Sequence, residues 1–133
     1  MNPHIAVHPP ASAAKDFAEI MEDFDAHCHE RWSLNPGLWH TTTPVRLATR
    51  TEQQEFVHDR SMRTPPQVLT DEYAGAPALY GFSEIYFNAN HTVALVYATQ
   101  WCGTLCAERM WVAFAREEGA WKQLSWHATL SIA

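Results

Sequence analysis

Several residues in this chain have types and spacings that could do chemistry. Cys102 and Cys106 stand four apart in Cys102-Gly-Thr-Leu-Cys106. Such a pair could form a redox-active loop disulfide or half of a metal site. The spacing is not the Cys-x2-Cys of thioredoxin-like motifs or common zinc knuckles, so a disulfide that clips the loop, or two buried thiols, is the stronger expectation. His27-Cys28-His29 suggests a metal. On a helix, though, His27 and His29 point about 200° apart and cannot converge on one ion. A shared site would need Cys102, Cys106 or His40 as further ligands. No metal and no other cofactor is expected. Two Asp–His pairs, Asp23 with His27 and Asp25 with His29, sit at i, i+4. A carboxylate that orients an imidazole is a general-base arrangement. A solvated helix pair is the plainer alternative. Asp23 and His27 make the better candidate, because His27 lies near the apolar stripe that contains Phe24.

The elements that must position these groups are clearest in the C-terminal half. Four strands are predicted: Phe82–Asn88, Val93–Gln100, Arg109–Arg116 and Trp121–Ile132. Each is rich in β-branched or aromatic residues, with turn chemistry between them. Asn88-Ala-Asn-His91 reads as a hairpin in which Asn90 tolerates a left-handed backbone, and Glu117-Glu-Gly-Ala120 as another with Gly119 at positive φ. If the hairpins close symmetrically, alternation sorts the side chains onto two faces. Phe82, Glu84, Tyr86, Val93, Leu95, Tyr97, Met110, Val112, Phe114 and His127 share one face. Ile85, Phe87, Val96, Ala98, Trp111, Ala113 and Trp126 share the other. Both faces are apolar, so each needs a cover. One cover is in this chain, and a second copy is the expected other.

That register creates one more candidate site. Glu84, Tyr97 and His127 fall among apolar neighbours, where desolvation shifts acids and bases. With His27 and Asp23 from the helix they could form a proton-transfer pocket. Tyr86, Leu95, Val112, Phe114 and Phe24 would bind the ligand there. The alternative is that Glu84 and His127 sit at strand ends in water.

The N-terminal half is less regular. Residues 1–11, with three prolines, read as a flexible or surface-laid arm. A helix is predicted from Ala13 to about Arg31, with Ser12 as N-cap and Phe17, Ile20, Met21, Phe24 and Cys28 on its buried stripe. Asn35-Pro-Gly37 ends it. Leu38–Thr49 is an edge strand at best. Thr51-Glu-Gln-Gln54 fits a capping box for a short helix to about Arg63. Residues 64–81 then form a long irregular loop.

The chain has 133 residues, 47% hydrophobic and 18% charged, which fits one domain spanning 1–133 and argues against disorder. Its net charge of −6, without a basic run, disfavours nucleic acid. No apolar run reaches membrane-spanning length and no signal peptide is visible, so no membrane partner and a cytoplasmic location are expected, a processed exported form aside.

Element order makes this an α+β chain, an N-terminal helix on a curved antiparallel sheet of four or more strands. That order is similar to the cystatin-like and nuclear-transport-factor-2-like folds. Phe82-Ser-Glu-Ile-Tyr-Phe-Asn88, Ala94-Leu-Val-Tyr97, Cys102-Gly-Thr-Leu-Cys106 and Gly119-Ala-Trp-Lys122 resemble a pattern of small bacterial proteins of uncharacterised function, S-x-[IV]-x-F-N, A-L-V-Y, C-G-x-L-C-G and G-x-W-K. Here Ala107 stands where that pattern has glycine. The resemblance covers the last third of the chain. It implies the strand order and a Cys102–Cys106 unit, export in some members, and no reaction. The resulting expectation is a homodimeric domain that holds a small molecule between helix and sheet, as a binder or as an isomerase-, dehydratase- or cyclase-type acid–base enzyme. An inhibitor-like or immunity-like interaction module, and a thiol or metal protein using Cys102 and Cys106, stay open.

Overall fold

A computed structural model describes residues 1–31, 34–35, 37, 40–42, 44–62, 78–129 and 131–132. The expected helix-ending turn at 35–37 falls partly outside the described residues, and the helix stop at Thr64 and most of the 64–81 loop fall wholly outside them. The elements in order are α1 (Pro3–Ala6), β1 (Val7–His8), α2 (Ala14–His27), α3 (Arg50–Met62), β2 (Leu79–Phe87), β3 (Val93–Gly103), β4 (Cys106–Glu117), β5 (Ala120–Gln123), β6 (His127–Ala128) and β7 (Ser131–Ile132). Strands β2-β3-β4-β5 form an antiparallel sheet in that order, and β7 also pairs with β4. Helix α2 packs against this sheet, an α+β arrangement.

The helix packs by its expected stripe. Ile20 and Met21 are buried, and Phe17, Phe24 and Cys28 pack against the core of Tyr86, Val93, Leu95, Trp111 and Ala113. The rings of Phe24, Tyr86, Trp111 and Tyr97 interlock edge-on and tilted, with Phe24 5.1 Å from Tyr86 and Tyr97 5.0 Å from Trp111. Aromatic packing of this kind adds about 0.5–1.5 kcal/mol per pair beyond area burial. The helix is shorter than predicted. It begins after a 3₁₀ turn at Ala11–Ala13, Ser12 makes no cap, and it ends at His27.

An acidic row on α2 then latches the edge of the sheet. Asp16 accepts from Asn88 Nδ2 at 2.9 Å, Glu19 from the Ala89 amide at 2.9 Å, and Asp23 Oδ2 from the Phe87 amide at 2.8 Å. Asn88 is only 1% exposed. Its Oδ1 accepts from the Thr92 and Val93 amides, so one side chain closes the β2–β3 hairpin and anchors the helix. The Val93 amide is buried and would be stranded without Asn88; the other bonds are part-buried or exposed and fix the helix on the hairpin. Ala89 and Asn90 form the tip as expected, but the positive φ falls on His91, at 56°. In the β4–β5 hairpin both Glu118 (51°) and Gly119 (78°) take positive φ, as a two-residue primed turn requires.

Four expectations change. The N-terminal arm is part of the core: Pro3, Ala6 and Val7 are buried, β1 pairs with β6, and the Trp111 indole donates to the Met1 carbonyl at 3.1 Å. The fourth predicted strand is three short ones, because the chain leaves β4 after Leu124 to pair with β1 and returns at β7. The capping box is Thr49-Arg-Thr-Glu52, two residues early, with Thr49 and Glu52 exchanging backbone amides. No strand forms among described residues 40–42 and 44–49.

The faces change most. Leu95 pairs with Ala113 and Tyr97 with Trp111, so Met110, Val112 and Phe114 lie on the face away from α2. The cause is a bulge at the Cys102 turn. Gly103 pairs with Cys106 but Trp101 with Ala107, and the extra residue flips every side chain of β4. A second bulge sets Ser83 and Glu84 opposite Tyr97 and moves Phe82 to the outer face. The Tyr97 amide, which the bulge removes from the ladder, donates instead to Ser83 Oγ at 2.9 Å.

Candidate functional site

Beyond the core, the inner face of the sheet continues toward the Cys102–Cys106 turn. Odd-numbered residues of β3 and β4 point to this side: Tyr97, Thr99 and Trp101 opposite Trp111, Arg109 and Ala107. Helix α2 covers the Tyr86–Leu95 end of this face. Helix α3 reaches the other end, where buried Phe56 meets Trp101 edge-on at 6.0 Å. Arg60 lies over the Phe56 ring at 4.7 Å. Between these covers an open groove of about 290 Å³ remains, lined by Tyr97, Thr99, Gln100, Trp101, Ala107 and Arg109.

The sequence explains this geometry locally. Small residues at Ala107 and Gly81 leave room beside bulky ones. A Cβ on Gly81 would lie 2.7 Å from Thr99 Oγ1, so any larger residue there would force the Thr99 side chain or the edge strand to shift. Cys102 and Cys106 are joined by a disulfide across the turn, with Cα atoms 5.1 Å apart. It staples the tip of the hairpin that carries Trp101 and Ala107. Arg109 has no ion pair among the described residues, so its guanidinium is free to meet an anion. Trp101 and Tyr97 offer ring surface. Thr99 and Tyr97 offer hydroxyl groups. The described lining holds no carboxylate and no imidazole.

The predicted acid–base residues are distributed elsewhere. Tyr97 lines the groove. Glu84 sits half-buried in the bulge opposite Tyr97, on the side of Tyr86. Burial raises the Tyr86 phenol above its ordinary value, and the nearby Cys28, Glu84 and Asp23 push it the same way. His127 is exposed on β6, opposite His8 of β1, and is not part of the four-stranded sheet. Asp23 and His27 do pair, Oδ1 to Nδ1 at 2.7 Å. The Asp23 hydrogen bond raises the His27 pKa above its ordinary 6.5, opposed by desolvation. The other carboxylate oxygen of Asp23 is spent on the Phe87 amide, so the pair works as a helix-to-sheet latch. Asp25 engages His4 at 2.8 Å instead of His29, which lies past the end of α2. Of the predicted ligand contacts, Phe24, Tyr86 and Leu95 fill the core under α2, and Val112 and Phe114 lie on the opposite face. Among the described residues no three His, Cys, Asp or Glu side chains are grouped to hold a metal. No helix among them is long and apolar enough to cross a membrane.

The groove residues Thr99, Trp101 and Arg109 escaped sequence reasoning. Their signal is the alternating run Ala107-x-Arg109-x-Trp111, which has meaning only when the face is known. Comparison with family models, with curated proteins and with solved structures returned no match.

Proposed function

We propose that this protein binds a small anionic molecule with a planar or apolar body in the groove beside Trp101 and Arg109. One observation carries the reading: a guanidinium without an ion-pair partner shares a concave, aromatic-walled groove with hydroxyl groups. A volume of about 290 Å³ lies at the small end of ligand sites, which run to about 1,000 Å³. That suits a single-ring or short-chain acid. A carboxylate on Arg109 and a ring on Trp101 would use both features at once. The groove supports a binder better than an acid–base enzyme, because Glu84, His27 and His127 do not line it.

The test is calorimetric titration with a panel of single-ring aromatic carboxylates and their neutral methyl esters. Saturable binding of a carboxylate is expected, weakened at least about tenfold in the ester. Arg109→Gln should cost a similar factor for the acid and leave the ester unchanged, since a charge-assisted hydrogen bond is worth about 1.5–3 kcal/mol. Trp101→Ala should weaken both. Equal affinity for acid and ester, or insensitivity to both substitutions, refutes the assignment.

A further inference from the structure

The outer face of the four-stranded sheet has no cover within the described chain. Phe82 is 57% exposed and Ile85 49%, and Val96, Val112 and Phe114 are only half-buried around them. A contiguous apolar face of this kind marks a contact surface. The pattern along β4 identifies the partner. Its outward residues read Glu108, Met110, Val112, Phe114, Arg116: an acid at one end, a base at the other, apolar between. Neither Glu108 nor Arg116 makes an ion pair among the described residues.

We infer that a second copy of this chain covers the outer face, related by a two-fold axis perpendicular to the strands and passing near Val112. Two packed sheets can be related by an axis along the strands or across them. An axis along the strands sets Arg116 against Arg116 and Glu108 against Glu108, which like-charge repulsion disfavours. An axis across the strands reverses β4 and sets each Glu108 against the partner's Arg116. Packed sheets stand about 10 Å apart. A glutamate and an arginine reaching toward each other span that gap at the rim, while Val112 meets its own copy at the centre. The interface is isologous and closed, so it yields a dimer and no fibre. With strands about 4.8 Å apart and about 3.4 Å of rise per residue, the face from Glu108 to Arg116 across β2–β5 covers roughly 500 Å² a side. The roughly 1,000 Å² total is at the lower bound for a specific interface. A reversible dimer is therefore expected, one that comes apart on dilution.

The experiment is sedimentation velocity of the full chain from about 5 to 500 µM, a range that brackets weak reversible association. The native chain should move from monomer to dimer with no larger species. Val112→Glu, which would bury two like charges at the axis, should abolish the dimer across the range. Glu108→Arg alone and Arg116→Glu alone should each raise the dissociation constant about tenfold or more, because each replaces two attractive contacts by two repulsive ones. The double exchange Glu108→Arg/Arg116→Glu should restore native affinity. Only the crossed arrangement predicts that rescue. Far-UV circular dichroism keeps the variants comparable in fold. A chain that stays monomeric at 500 µM, a dimer indifferent to Val112→Glu, or single exchanges without effect would each overturn the inference.

Discussion

Asn88→Ala should cost about 3 kcal/mol of folding stability, a large effect for one side chain at a hairpin. Asn88 is fully buried and uses both ends of its amide. Truncation strands the Val93 amide inside the protein, which costs about 1–3 kcal/mol. The Thr92 amide and the Asp16 carboxylate are nearer water and recover much of their loss by hydration, so about 0.5 kcal/mol each is the expected share. In urea, with a slope of about 2 kcal/mol per molar for a domain of this size, the midpoint should fall by about 1.5 M. Asn88→Asp supplies the second test. It keeps an acceptor for the Thr92 and Val93 amides but sets a carboxylate where Nδ2 now lies 2.9 Å from Asp16. The two like charges repel each other in the folded state when both carboxylates are ionised. The variant should therefore be weakest at neutral pH and regain stability relative to the native chain as pH falls toward 5. A loss under about 1 kcal/mol in Asn88→Ala, or a pH-independent deficit in Asn88→Asp, would refute the latch.

Two further predictions follow from the charged contacts of the helices. His27 has its pKa raised, chiefly by the Asp23 hydrogen bond; its contribution should be fully present below about pH 6.5 and fade as pH rises through the higher folded value. Urea midpoints at pH 5.5 and 8 should show this dependence in the native chain and a flatter one in His27→Gln. Glu52 has its pKa lowered, first by the Thr49 amide and then by Arg46, so its contribution is present above about pH 4.5 and is lost as pH falls through the depressed value. Replacing Glu52 with Gln should remove that acid-side loss in thermal melts between pH 3 and 5, while Thr49→Ala should loosen α3 and lower its amide protection from hydrogen exchange.

The parts of the fold legible in sequence are those fixed by local periodicity. The stripe Phe17, Ile20, Met21, Phe24, Cys28 could only be a helix face, and it is the one α2 buries. The runs that became β2, β3 and β4 were legible for the same reason. The N-terminal segment was not, although Asn2-Pro3 is a readable helix start: Asn2 Oδ1 accepts from the His4 amide at 3.0 Å and Pro3 opens the turn. A four-residue helix has no stability of its own. It forms because the segment packs into the core and is tied to distant residues, Val7 pairing with Ala128 and the Trp111 indole donating to the Met1 carbonyl, which no local pattern reveals.

The change in which side chains of β2 and β4 face α2 has a single physical origin. A strand's face is a parity, and one bulge inverts it from that point on. The bulge at Ser83–Glu84 and the one at Cys102 moved Phe82, Val112 and Phe114 outward and brought Arg109 inward. Each bulge is held by a residue of the pattern in the last third of the chain, and a third such residue sets a turn. Ser83 Oγ serves the Tyr97 amide, Cys102 is tied to Cys106, and Asn88 closes the turn between β2 and β3. These polar residues specify register. Chemistry is therefore better sought at positions that register exposes but does not use: Arg109 and Trp101 on the inner face, Glu108 and Arg116 on the outer. If so, a variant that straightens the β3–β4 bulge, such as deletion of Cys102, should disturb ligand binding and dimerisation together, because the same parity sets both faces of β4. A groove substitution such as Arg109→Gln should touch binding alone. A bulge variant that keeps carboxylate binding while losing the dimer would show that the two faces are set independently and that the parity account is wrong.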